Sequence, residues 1–271
     1  MSDELIRHYT EARDEDRRLQ DGVGPFEYER TIALIGEYLG RDKLIIVDAG
    51  GGPGAYALWL AEQRHEVHVI DLVPRHIDTV KDKARARALV LGSAAVGDAR
   101  SLPFDDRFAD LVLVMGPLYH LTEEQDRLSA LRESARVVKR DGRVLCTAIS
   151  RFASMLAGFR FKRFDDPQFE AMVDRALLDG QHRNPVKGSQ HLTTAYFHRP
   201  SDLRQEIERA GLQCEKIAGI ESPLAWLPQM ENWIAEKDRM YDLARKYARE
   251  VENEEPLLGA SAHLFGVGRR L

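Results

Sequence analysis

The 271-residue sequence predicts an α/β domain whose central sheet is doubly wound and mostly parallel. Three observations carry that prediction. Short β-branched or apolar runs alternate with helix-compatible stretches through residues 44–149, the pattern of parallel strands joined by helical crossovers. Residues 109–115 are apolar almost without interruption, as a strand covered on both faces of a parallel sheet must be. A glycine cluster, Gly50-Gly51-Gly52-Pro53-Gly54, lies between the first strand and the first helix of the alternation, where the chain has to turn tightly.

The elements justify themselves in order. After a charged opening, Phe26, Ile32, Ile35 and Leu39 recur at near-helical spacing, and Gly40 offers a stop. Residues 44–47 form a short β-branched strand, and residues 55–64 suit a helix. The pattern repeats with a strand over 67–71 and a helix over 74–88, where Pro74 fits the first turn because its missing N–H has no intrahelical partner there. A third strand ends near Gly97 and Asp98, and 109–115 is the fourth. Thr122-Glu-Glu-Gln125 reads as a capping box for a helix reaching Lys139, and Asp141-Gly142 makes a turn into a fifth strand over 143–149. The alternation then breaks. Residues 150–199 read as a cap insertion with a helix over 169–178 and a polar loop carrying three histidines. A helix over 201–210 stops at Gly211, strands over 212–218 and 262–268 complete a seven-stranded sheet, and residues 220–260 form a second, mostly helical insertion. The expected organisation is one domain over 1–271, with an N-terminal helical lid at 1–40 and these two insertions.

Bulk properties narrow the function. With 44% hydrophobic and 31% charged residues, the composition is that of an ordinary globular chain, and no run of eighteen apolar residues could cross a bilayer. A net charge of −5 argues against a nucleic-acid binder, whose affinity rests on clustered Lys and Arg. Cys146 and Cys214 stand far apart, so neither a disulfide framework nor a zinc site is expected, and no metal is. The charged first twenty residues lack the apolar stretch of a secretory signal, so a cytoplasmic location is expected.

The chemistry concentrates at the glycine loop. Glycines let backbone approach a ligand and adopt positive φ, and the following helix points its N-terminal amides at the bound group. Asp71 ends the next strand about twenty residues on, where a carboxylate can accept hydrogen bonds from ribose hydroxyls. Two cofactor classes share this logic. Asp48, Gly50, Gly52 and Gly54 resemble the first motif of the class I S-adenosylmethionine (SAM) dependent methyltransferase superfamily, an acidic residue followed by G-x-G-x-G; the dehydrogenase form would want glycine where Ala55 stands.

That resemblance implies a Rossmann-like fold and SAM as cofactor. It places the ribose on Asp71, the adenine against Leu72, the adenine amino group on Asp98 and the ring beside the Ala99 amide. It brings the carbonyl near Met115 to the methionine amino group, and it suggests that the segment around Tyr9 folds over the cofactor. Gly116-Pro117-Leu118-Tyr119 departs from the Asn/Asp-Pro-Pro-Tyr of nucleic-acid methyltransferases, so a small-molecule acceptor, methylated on oxygen or nitrogen, is expected.

His120 is the candidate base, because imidazole titrates near neutrality and the residue follows a strand end where such folds place their sites; packing against the next helix is its alternative role. Tyr119 fits a proton-transfer group or a pocket wall equally. From the cap insertion, His191, Tyr196 and His198 are candidates for the acceptor pocket, while the Trp and Tyr residues of 226–247 are expected to pack helices. The segment 226–252 could pair with a second copy, as in a homodimer, as easily as cover its own sheet. An NAD-linked oxidoreductase and a SAM-binding protein without turnover are the rival readings.

Overall fold

The computed structural model describes residues 15–183 and 194–271. A helix α1 (Gly24–Gly36) leads into strand β1 (Ile45–Ala49), α2 (Ala55–Glu62), β2 (Glu66–Asp71), α3 (Pro74–Ala86) and β3 (Ser93–Val96). Then follow β4 (Ala109–Val114), a helical turn at Pro117–His120, α4 (Glu124–Val137) and the long β5 (Val138–Ser150). The cap contributes α5 (Ala153–Arg160), α6 (Pro167–Asp179), β6 (Gln181–His182) and β7 (Ala195–His198). The chain returns through α7 (Pro200–Arg209) and β8 (Gln213–Gly219), then a helical stretch with α8 (Met230–Glu236) and α9 (Arg239–Glu250), and ends in β9 (His263–Arg269).

The strands β3-β2-β1-β4-β5 pair in parallel, and β9 closes the far side antiparallel to β5 with β8 beyond it. These seven are the strands expected from sequence. Among the described residues the sheet has nine, because β5 outruns β4: Val114 pairs with Cys146, and beyond it Ile149 and Ser150 pair with Phe197 and His198 of β7. The cap insertion thus ends in a β6–β7 hairpin joined to the sheet rather than in a purely helical cover.

Side-chain alternation along β1 sorts the two cores. Ile46 packs with Leu34 and Ile35 of α1, Leu60 of α2 and Val80 of α3, while Val47 and Ala49 pack on the face of Leu131 in α4 and Ile207 in α7. The aromatic segment after β8 packs on its own chain: Phe26 of α1 is fully buried against Met230, Ile234, Tyr241 and Ala244. No helix among the described residues is long and apolar enough to cross a membrane.

Two local expectations are corrected. Helix α4 starts with Glu123 as N-cap and no side-chain cap bond, so the Thr122 capping box does not form. The buried Arg127 takes the Leu121 and Thr122 carbonyls at 2.9 Å each, which draws that turn away from the capping position. Asp141-Gly142 does not turn the chain between α4 and a separate strand; it is an irregularity inside β5, where Asp141 holds φ 64° and the register to β4 shifts.

Arg127 and Glu206 are 2% and 3% exposed and paired at 2.8 Å, tying α4 to α7. Breaking a buried pair strands the remaining charge. Glu206→Ala should therefore lose about 3–5 kcal/mol of stability, read as a lower urea midpoint at an unchanged m-value.

Candidate active site

A cleft runs along the carboxyl ends of β1, β2, β3 and β4 and encloses about 1130 Å³ including its open mouth. Its floor is the glycine loop. Gly50 and Gly51 donate backbone N–H bonds to the Ile70 carbonyl at 2.7 and 3.2 Å, which lashes the loop to β2. Gly50 has φ 77°, and a Cβ there would lie 2.4 Å from Pro117 Cγ, so no larger residue fits between the loop and the turn after β4. Gly52 has φ 54° and nothing within 4 Å of a Cβ position, leaving its backbone open toward the cleft.

Asp71 lines the cleft at the end of β2. Its Oδ2 accepts the Gly52 N–H at 2.8 Å; Oδ1 accepts the Val73 N–H at 2.8 Å and lies 3.0 Å from His76 Nδ1. A carboxylate oxygen has lone pairs for more than one donor, so Asp71 braces the loop and still presents an acceptor. Leu72, Asp98, Ala99 and Met115 line the same cleft, as do Tyr119 and His120 in the helical turn after β4, their rings meeting edge-on at 4.6 Å.

Asp98 is gripped by Arg100, with Nη2 at 2.6 Å and Nε at 3.0 Å, and Arg100 is anchored in turn to Asp126 at 3.0 Å. Burial pushes the Asp98 carboxyl up, but the Arg100 hydrogen bonds outweigh it and hold it below the usual range. Asp98 is thus an ionised acceptor at neutral pH.

Asp48 is different from the expectation. It lies beneath the loop, 0% exposed, and is not on the cleft wall: alternation along β1 turns it toward Val69, under Gly51. Neither carboxylate oxygen has a hydrogen-bond partner among the described residues, and burial, aided by the Asp71 charge, raises its pKa to about 7. Gly54 likewise stays off the wall; it caps α2 in a left-handed conformation. Tyr9 and His191 lie outside the described residues.

The other cap candidates face elsewhere. His198 is fully buried with Nε2 3.2 Å from Glu206, and Tyr196 is covered by the Arg127 guanidinium at 3.6 Å from its ring centroid, so neither lines the cleft. The hairpin register decides this: it seats Phe197 on Ile149 and turns its neighbours toward α4 and α7. Residues that sequence reasoning passed over line the cleft instead: Arg18, Leu19, Tyr56, His76 and Arg100. Tyr56 and His76 stand in the first turns of the helices that follow the cofactor strands, which was a usable signal; Arg18 reaches the cleft through its pair with Glu27 at 2.6 Å, which no spacing reveals.

Residues 47–146, which hold all of these loops, match the model of the family described as a methyltransferase domain. Over that stretch the chain is similar to the methyltransferase domain. It is 34% identical over 120 residues to a ubiquinone/menaquinone biosynthesis C-methyltransferase of Bordetella avium, covering 43% of this chain and 45% of that protein. It is 30% identical over 150 residues to the mitochondrial 2-methoxy-6-polyprenyl-1,4-benzoquinol methylase of Bos taurus, covering 54% and 43%. The chain thus spans about half the length of the curated relatives it matches. Among solved structures, the fold is shared with a SAM-dependent methyltransferase of Methanosarcina mazei (TM-score 0.59, 18% identity, 88% of this chain and 97% of that one). It is shared too with magnesium protoporphyrin IX methyltransferase of Synechocystis (TM-score 0.59, 12% identity, 99% and 94%). In this chain the Asp48 carboxylate lies under the loop rather than in the cleft.

The raised Asp48 has a consequence for stability. Its folded pKa lies above its unfolded value near 3.8, so the folded state binds the extra proton, and stability falls as pH rises from about 4 to about 7. Asp48→Asn should flatten that part of the profile by on the order of a few kcal/mol, measured as the difference between wild-type and variant urea unfolding at pH 5 and pH 7.5.

Proposed function

We propose that this chain transfers a methyl group from SAM to a small-molecule acceptor. The observation that carries the reading is the convergence on one cleft of the glycine loop, Asp71, the Asp98-Ala99 pair and Met115. When bound, SAM supplies a methyl group on a sulfonium, a good leaving group for in-line displacement. The residues present fit it: Gly52 leaves room at the loop, and Asp71 retains acceptor capacity beside it.

Asp71 holds the ribose hydroxyls, Leu72 packs on the adenine, the ionised Asp98 accepts from its amino group beside the Ala99 amide, and the Met115 carbonyl meets the amino group of the methionine tail. Tyr119 and His120 wall the acceptor end. Alignment and exclusion of water account for most of the acceleration such a reaction needs, and His120 takes up the proton where the acceptor loses one. We place the methylated atom on oxygen, on nitrogen or on carbon; the last is the acceptor atom named for the ubiquinone/menaquinone biosynthesis C-methyltransferase relative.

Calorimetry should show S-adenosylhomocysteine binding and NAD not binding. Asp71→Asn, which keeps the side chain's shape, should weaken the first by roughly tenfold or more through the loss of charge-assisted bonds. NAD binding in its place would overturn the reading. With an acceptor found by screening for S-adenosylhomocysteine release, His120→Asn should lower kcat by roughly a hundredfold while S-adenosylhomocysteine affinity holds; release undetectable with every acceptor would favour a binding protein without turnover.

A further inference from the structure

The wall of the cleft that follows β3 is a turn over residues 97–101, held from three sides. Gly97 donates its N–H to the Asp71 carbonyl at 3.0 Å, and a Cβ there would lie 2.9 Å from Ile70 Cγ2, so the turn sits against the end of β2. The Ser101 N–H closes it on the Asp98 carbonyl at 3.0 Å. Helix α4 holds the chain that leaves it: the Leu102 N–H donates to Glu133 at 2.9 Å, and Arg136 donates to the Leu102 carbonyl at 3.0 Å. Asp98, Ala99 and Arg100 of this turn all line the cleft.

Within that frame Arg100 sets the Asp98 carboxylate. Its Oδ1 accepts the Arg100 backbone N–H at 2.9 Å and Nε–H at 3.0 Å, while Oδ2 accepts from Nη2 at 2.6 Å, with Nε 3.1 Å away. Arg100 Nη1 pairs with Asp126 of α4 at 3.0 Å, so the guanidinium that aims Asp98 is itself held from behind. A carboxylate oxygen offers two lone pairs. Oδ1 is filled by two Arg100 donors, and Oδ2, whose main donor is Nη2, keeps one acceptor site.

We propose that Arg100 is the positioning residue that makes this wall a fixed acceptor, so that the site takes a 6-aminopurine nucleoside and rejects a 6-oxopurine. This rests on the methyltransferase reading above. An amino group at C6 brings a donor to the open site on Asp98. A carbonyl at C6 sets two acceptors against each other, each stripped of water and neither paired.

The guanidinium also carries the opposite preference. With Asp98 truncated, Nε and Nη2 lose their carboxylate while Nη1 stays on Asp126, which leaves a fork of donors suited to a carbonyl oxygen. With Arg100 truncated instead, the carboxylate loses the donors that fix its direction, and burial then pushes its carboxyl up.

The test compares three nucleosides by calorimetry: S-adenosylhomocysteine, its analogue with hydrogen in place of the amino group at C6, and S-inosylhomocysteine. Wild-type protein should bind the first about tenfold tighter than the second and at least about a hundredfold tighter than the third. Arg100→Gln should erase most of the discrimination between the first two, and what is left should fall from about pH 7 to about pH 5, a fall absent from the wild type. Arg100→Lys, which keeps the charge without the fork, should not restore it. Asp98→Ala should reverse the order, with S-inosylhomocysteine bound above S-adenosylhomocysteine. Equal binding of the first two nucleosides by the wild-type protein would overturn the proposal whether or not a variant folds. Undiminished discrimination in Arg100→Gln, or a preference for S-adenosylhomocysteine that survives Asp98→Ala, would overturn it too. Failure of all three to bind would instead count against the methyltransferase reading.

Discussion

The Asp71 carboxylate is the constraint on which the site depends. It stands where β2 ends and takes the Gly52 N–H with one oxygen and the start of the next turn with the other. Two loops that follow neighbouring parallel strands are thereby fixed to each other. The glycine loop can then leave its own backbone uncovered without collapsing, because its conformation is held from the side. Parallel pairing of β1 with β2 puts Asp71 and the loop at the same end of the sheet, as sites in open α/β sheets require.

Asp48 and Asp71 show how position within a few residues separates two carboxylates. Asp71 is surrounded by donors and lines the cleft; Asp48, on the inward side of β1, meets Gly51 and Val69 and has no donor among the described residues. Desolvation therefore raises the Asp48 carboxyl, while the Asp71 carboxylate is held in place by its donors. The same division appears at Asp98, where the Arg100–Asp126 pair keeps the carboxylate ionised at the cleft wall.

Strand β5 organises the opposite end. Its thirteen residues serve β4, β7 and β9 in turn, which places the hairpin of the cap above the end of β4 and carries His263 to the level of Ile149. The cap hairpin, β4 and β9 thus meet through one strand, and the β6–β7 pairing sets Tyr196 and His198 against the buried Arg127–Glu206 pair.

Periodicity and spacing made the seven shared strands, the glycine loop, Asp71 and the turn holding Tyr119 and His120 legible, because each depends on a strand–turn–helix unit whose geometry is set within some twenty residues, while Leu72, Asp98, Ala99 and Met115 were singled out by the methyltransferase resemblance and line the same cleft. Sequence could also state that Asp48 belongs to the loop motif, though not that its side chain faces inward; that follows from the direction of alternation once β1 is covered on both faces. The hairpin of the cap, the placement of His198, and the meeting of Arg18 with Glu27 and of Glu221 with His263 were decided by tertiary structure. These contacts join segments from distant parts of the chain, or depend on how far one strand overruns its neighbour, and no local pattern encodes such distances.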